Sequence, residues 1–307
     1  MEAIVHVTTT DPQKSVGGVS GVVKNLAEGH RVRFYNASGI WGVVKAYFLA
    51  QNLKKENHKV IQFHDSIAAY FYLKSGGKAK TIYTSHGHWT SFFETSPARG
   101  FFSRMKAKAL IKFQNYTTEN VDVTVAVSNK IKEIIEKNSK PRKILVVYNG
   151  VDTKTFRPMK MKREGAIWVG KDPYRKRLDK TIDYCKKHNL KLTIVGMNTV
   201  PFDTTGLQKE ILNNLSDKEL SAAYNKAKIL PFFSEQEGHP LVVLEAMACG
   251  CDIIASKNSN LEIIPMKGDF YRISGNRARK IAEKYDWNVI RKQYEKLYFE
   301  LLSEALK

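Results

Sequence analysis

Two carboxylates, Glu237 and Glu245, bracket a turn in the segment Ser234-Glu235-Gln236-Glu237-Gly238-His239-Pro240-Leu241-Val242-Val243-Leu244-Glu245-Ala246-Met247-Ala248-Cys249-Gly250. Ionised carboxylates only accept hydrogen bonds, so both suit hydroxyl donors. Pro240 fits the first turn of a helix, and the free N–H groups of such a start suit an anionic oxygen. That helix would carry Glu245 about one and a half turns along. Upstream, Gly170 and Lys171 close an apolar run, and Lys176 follows between Arg175 and Arg177. These cations read either as a grip on an anion or as a solvated basic loop. Gly17 and Gly18 follow the first apolar run, where glycine lets the backbone approach a phosphate closely or simply makes a turn. His64, His86 and His88 follow further runs. A neutral imidazole there can donate or accept a hydrogen bond, or pack as a core residue.

The elements that must position these groups are short apolar runs of Val, Ile and Tyr at 3–8, 59–63, 81–85, 121–127 and 144–148. A second series runs through 166–170, 190–196, 227–232 and 252–255. Most lead into helical patterns, and this alternation predicts an α/β protein with parallel sheets covered on both faces. A ligand site is then expected at the carboxyl ends of the strands. Asn149-Gly150, Pro158 and the charged run 160–164 mark a break between two doubly wound domains. The last pattern, 281–306, is helical with aromatics at Tyr285, Trp287, Tyr294, Tyr298 and Phe299. It must cap its own sheet or return to the first domain.

Composition narrows the function classes. Of 307 residues, 43% are hydrophobic and 26% charged, which excludes a disordered tail or a fibre. The formal net charge of +20, concentrated before residue 157, favours anionic partners: phosphates, membrane headgroups or nucleic acid. Three scattered cysteines suit buried thiols in a reducing cytosol. The early Glu2 and short first apolar run read as a strand, not a signal peptide, and no run is long enough for a membrane span. Asp-x-Asp and His-x-x-x-His pairs, phosphate-binding Gly-Lys-Ser/Thr loops and Gly-x-Ser-x-Gly elbows are lacking.

The turn Glu237-Gly238-x-Pro240-Leu241 followed by Glu245-Ala246-Met247-Ala248-x-Gly250 resembles that of the retaining, nucleotide-sugar-dependent GT-B glycosyltransferases, the family 4-like or group 1 glycosyl transferases. Tyr148-Asn149-Gly150-Val151-Asp152 resembles their interdomain junction. The resemblance implies two Rossmann-like doubly wound domains facing a cleft. Residues 1–157 would form the acceptor-side domain, joined by a C-terminal helix 288–307, and 158–287 the nucleotide-sugar domain. It implies that Glu237 contacts the donor sugar and Glu245 the ribose hydroxyls, with Gly238, His239, Pro240 and Leu241 beside them. Lys171 and Lys176, next to Gly170, would grip the diphosphate in place of a metal, so no cofactor is expected. Gly17 and Gly18 would cover the donor, His86 would lie near the donor sugar, and His64 and His88 are acceptor-side candidates.

The chain departs from that pattern where Lys171 replaces an arginine and Arg177 replaces a glycine. The expected reaction moves a hexose to a hydroxyl of a glycan, a lipid-linked acceptor or a membrane glycolipid. A glucosyltransferase acting on nucleic acid and a non-catalytic sugar-nucleotide or nucleic-acid binding protein remain the rivals. The segment 92–113 mixes phenylalanines with Arg99, Arg104, Lys106, Lys108 and Lys112. It reads as one amphipathic helix, either packed in the core or lying on an anionic membrane face. The expected location is cytoplasmic, with peripheral attachment to the membrane under the second reading.

Overall fold

The computed structural model describes residues 3–14, 18–36, 39–95, 97, 100–235, 237–259 and 261–306. The chain divides into two compact units, Met1–Asn149 with Ile290–Lys307, and Gly150–Val289.

In the first unit the order of elements is β1 (Ile4–Thr8), α1 (Gly18–Leu26), β2 (Arg31–Phe34), α2 (Gly39–Lys55), β3 (Val60–Phe63), α3 (Ser66–Lys74) and β4 (Lys80–Ser85). It continues through α4 (Trp89–Thr95), α5 (Phe101–Asn120), β5 (Val123–Ala126), α6 (Asn129–Asn138) and β6 (Ile144–Val146). The sheet order is β2-β1-β3-β4-β5-β6, parallel at every pairing. All residues of β1, β3 and β5 are buried, as expected of strands covered on both faces. The chain steps outward from β1 to β2 and then returns to β3. The topological switch point therefore lies at the carboxyl ends of β1 and β3, and His64 follows directly after β3.

The second unit contains β7 (Ala166–Val169), α7 (Leu178–Lys187), β8 (Leu192–Val195), β9 (Lys209–Leu212), α8 (Asp217–Lys226) and β10 (Ile229–Phe232). After these come α9 (Leu241–Ala248), β11 (Asp252–Ser256), β12 (Met266–Lys267), β13 (Phe270–Ile273) and α10 (Gly275–Ala282). Its sheet order is β12-β13-β11-β10-β7-β8-β9. The pairings from β11 to β9 are parallel, whereas β13 and β12 add an antiparallel edge. This edge departs from the all-parallel expectation, because the short β12–β13 connection permits only a hairpin. The switch point here lies between β7 and β10. Only Ile229↔Ala166 is in register between those strands, against four pairs between β7 and β8. Their carboxyl halves are thus free of a shared ladder.

Two expectations need correction. The domain boundary falls at Gly150 instead of after residue 157. Val151 forms a parallel bridge with Asp286, its N–H donates to the Tyr285 carbonyl at 2.8 Å, and Phe156 joins the second core. A Cβ on Gly150 would lie 2.5 Å from the Trp287 ring, so glycine permits this closure. The segment 92–113 is two helices, with Gly100 between them at φ +82°. Neither the core reading nor its alternative describes all of it. Phe101 (72% exposed) and Phe102 (84%) are open to solvent, while Ala107 and Leu110 are buried.

The final helix, α11 (Trp287–Ala305), buries Ile290, Tyr294, Leu297, Tyr298 and Leu301, a stripe of helical period. From Ile290 onward it belongs to the first unit, where Lys80 pairs with Glu304 at 2.8 Å and Lys143 with Glu300 at 3.4 Å. Among the described residues no helix is long and apolar enough to cross a membrane. Cys185, Cys249 and Cys251 are all buried in the second unit. Burial pushes their thiols up to about 12, 11 and 12 respectively.

Candidate active site

The loops after β7 and β10 are the ones the second switch point brings together. Glu237 occupies the β10 loop. Its Oε1 accepts from Ser234 Oγ at 2.5 Å and meets Arg175 Nη1 at 3.3 Å and Lys176 Nζ at 3.4 Å. Burial alone would raise its pKa, but Lys176, Arg175 and the serine hydroxyl outweigh it and hold the carboxyl below its usual range. Lys176 is half-buried, with its ammonium 5.8 Å from the centre of the Phe232 ring. Trp168 Nε1 donates to the Lys176 carbonyl at 3.3 Å, which fixes the lysine's backbone.

Gly170 explains how Lys176 reaches this place. A Cβ there would lie 2.4 Å from Lys176 Cδ and 2.9 Å from the Trp168 ring. The glycine acts by leaving room for the lysine stem. Lys171 is exposed just beyond it. The cation that joins Lys176 at Glu237 is Arg175, a role the spacing alone did not single out.

Arg177 stands at φ 47°, ψ 53°, the left-handed region that glycine enters without cost. That conformation accounts for the glycine usual at this position in the resembled family. The arginine compensates with ionic bonds: Nη2 to Asp179 Oδ2 at 2.7 Å and Nη1 to Glu235 Oε1 at 2.7 Å. The Glu235 N–H also donates to the Arg175 carbonyl at 3.2 Å. The two loops are therefore braced by both side chain and backbone.

Helix α9 follows with Pro240 at its N-cap, and no side chain caps that end. Gly238 and Leu241 are half-buried beside it. His239 is buried, its ring 5.5 Å from Tyr285, and burial lowers its pKa to about 3. Glu245, half-buried on α9, accepts from the Tyr224 hydroxyl at 3.0 Å. Burial pushes its pKa up to about 7, with Asp217 adding to the rise and Tyr224 and Lys176 opposing it. Lys176 thus acts electrostatically on both carboxylates. A cation held against one carboxylate and acting electrostatically on a second, in the loops at the carboxyl ends of parallel strands, is equipped to bind a polyhydroxylated anion.

In the first unit His64 and His86 follow β3 and β4, and His64 Nδ1 meets His86 Nε2 at 3.1 Å. His88 is buried apart from that contact, accepting from the Thr90 N–H at 3.3 Å at the start of α4. Burial lowers His86 and His88 to about 4. Gly18 opens α1 with nothing within 4 Å of a built Cβ, so sterics do not demand a glycine there. Gly17 lies outside the described residues. Sequence reasoning missed His6 and His30, which continue the histidine contacts. The available signal was an imidazole at the centre of the buried run Ile4–Thr8. Among the described residues no group of three or more His, Cys, Asp or Glu side chains could hold a metal ion.

Two family profiles match the chain: Glycosyltransferase Family 4 over residues 5–155 and Glycosyl transferases group 1 over residues 153–289. An uncharacterized glycosyltransferase of Methanocaldococcus jannaschii is 22% identical, the match covering 95% of this chain and 90% of that protein. Among solved structures, a sucrose-phosphate synthase from Thermosynechococcus elongatus is similar with a TM-score of 0.82 at 15% identity, covering 99% of this chain and 100% of that one. Anabaena HepE in complex with UDP and glucose is similar with a TM-score of 0.74 at 12% identity, covering 97% and 99%.

Proposed function

The chain belongs to the GT-B glycosyltransferases of the family 4 and group 1 type and is a glycosyltransferase, and from that premise we propose that it moves a hexose from a nucleoside-diphosphate sugar to a hydroxyl acceptor with retention of configuration. The observation that carries the reading is Lys176, set against Glu237 and acting on Glu245. Lys176 and Arg175 meet the diphosphate and stabilise the negative charge that develops as the sugar–phosphate bond breaks. They supply the charge that a metal ion provides in other transferases, so the reaction proceeds without one. Glu237 accepts hydrogen bonds from the sugar hydroxyls and Glu245 from the ribose. The UDP and glucose bound by HepE support a donor of this class.

The acceptor reading extends to a lipid-linked glycan displayed at an anionic membrane face. Exposed Phe101, Phe102 and Met105 on α5, interleaved with Arg104, Lys106 and Lys108, support it.

The test is a panel of nucleoside-diphosphate sugars with Lys176→Ala and Glu245→Ala variants. Lys176→Ala is expected to lower kcat about 100-fold or more, the scale for losing one transition-state charge partner. Glu245→Ala is expected mainly to raise the donor KM. Unchanged donor kinetics in both variants would reject the assignment.

A further inference from the structure

We propose that His30, His6, His64 and His86 form a proton conduit linking the reaction site at His86 to the surface pocket at His30. The inference rests on the proposed glycosyl transfer and on the family resemblance, which implies that His86 lies near the donor sugar. The row lies wholly within the first unit. His30 Nδ1 meets His6 Nε2 at 3.0 Å, His6 Nδ1 meets His64 Nε2 at 3.1 Å, and His64 Nδ1 meets His86 Nε2 at 3.1 Å. The rings stack in sequence, their centroids 5.3, 5.4 and 5.4 Å apart. His6 and His64 spend both ring nitrogens on neighbouring imidazoles. These nitrogens pair along a line and do not converge on a point, which sets the row apart from a metal site.

A neutral imidazole has one N–H donor and one acceptor nitrogen. Three unbroken contacts therefore require all four rings to share one polarity, and two such arrangements exist. In the first, every Nε2 carries the hydrogen; in the second, every Nδ1 does. Conversion of the first into the second takes a proton at one end and releases one at the other. Burial keeps the interior neutral: His6 is lowered to about 3 by burial and then by His30, His86 to about 4 by burial, and His64 by burial and then its two neighbours.

The Tyr298 ring stands edge-on to His6 and His30, and its hydroxyl donates to Gln62 Oε1. Asp65, next to His64, accepts through Oδ1 from Tyr35 and from the Ile67 and Ala68 N–H groups, while its buried Oδ2 has no hydrogen-bond partner. At the outer end, half-buried His30 lines a surface pocket with Lys24, Asn25, Glu28 and Arg291. Glu28 and Arg291 form an ion pair there, and Glu295 acts on His30 through space.

The step balances as follows. The acceptor oxygen forms its bond to the sugar carbon, the bond from that carbon to phosphate breaks, and the hydroxyl proton goes to His86 Nδ1. His86 Nε2–H passes to His64 Nδ1, His64 Nε2–H to His6 Nδ1, and His6 Nε2–H to His30 Nδ1. His30 Nε2–H leaves to water in the pocket. One proton enters and one leaves, and the row is reset when His86 Nδ1–H gives its proton to the departing phosphate while His30 Nε2 takes one from water in the pocket.

The full-length protein with His30→Ala is expected to lose turnover about tenfold or more at unchanged donor KM, within the range of general acid–base effects. Free imidazole is expected to restore it. His6→Gln conserves hydrogen-bonding capacity without tautomer exchange, so it should lose turnover alike and resist imidazole rescue. Nitrogen NMR of histidine-labelled protein provides a readout independent of turnover: His6 and His64 should show tautomer averaging that His30→Ala shifts. Wild-type turnover in both variants, or single locked tautomers indifferent to His30→Ala, would overturn the conduit. Should the wild type transfer no sugar, the functional reading fails while the NMR result still decides the row.

Discussion

Glu245→Gln should make the protein more stable at alkaline pH while weakening its grip on the donor. Glu245 titrates near 7 in the fold against an ordinary value of 4.5. The folded state thus holds a proton between those values that the unfolded chain gives up, so stability falls as pH rises through that window. At about 1.36 kcal/mol for each pH unit, the full penalty above pH 7 is about 3 kcal/mol. This is an upper figure, because a half-buried side chain is partly screened by water. Glutamine stays neutral at every pH, and its carbonyl can still accept the Tyr224 hydroxyl bond that the carboxylate takes at 3.0 Å. At about 2.1 cal/mol/K of unfolding entropy per residue, a chain of 307 residues shifts by about 1.5 °C per kcal/mol, so the expected gain in Tm is roughly 3–5 °C at pH 8.5. It should shrink towards zero as pH falls to 4.5. Thermal unfolding of both proteins across that range is the assay. An equal Tm difference at all pH values, or a glutamine variant less stable at pH 8.5, would refute the reasoning that burial burdens this carboxylate with an uncompensated charge.

Gly170→Ala should mimic loss of Lys176, because the new methyl would lie 2.4 Å from its stem. Overpacking of this kind costs about 1–3 kcal/mol, read by urea unfolding, and kcat should fall at least tenfold; wild-type kinetics would show that the lysine reaches its place by another route. Arg177→Gly removes a left-handed residue at about 1 kcal/mol of relief but breaks its bonds to Asp179 and Glu235. The expected result is little change in Tm with a raised donor KM, and an unaltered KM would show that this brace does not order the Glu237 loop.

The parallel core was legible because strands buried on both faces are written as continuous apolar runs, as in Ile4–Thr8 and Val123–Ala126. Lys209–Leu212, with two of its residues exposed, and the hairpin Met266–Lys267 with Phe270–Ile273 lie towards the sheet edges and lack that pattern, so they were not anticipated. Glu237, Glu245 and Lys176 were singled out by the turn motif around Pro240 and the basic loop after Gly170, through their resemblance to a known family. Arg175 was not, because its bond to Glu237 spans 62 positions and depends on two loops meeting at the switch point. The same applies to His6, which meets partners 24 and 58 positions away. Only sheet order turns such separations into contact. Arg177 shows the converse: its departure from the resembled pattern was visible at once, but its left-handed backbone was not.

The three thiols have a practical consequence. All belong to the second unit, and burial raises them far above neutrality. An alkylating reagent can modify them only when that half of the molecule breathes open. Labelling speed is therefore a built-in clock for loosening around the Lys176 loops, silent to events in the other half. Slower labelling with a bound nucleotide would measure how firmly a ligand clamps that half shut.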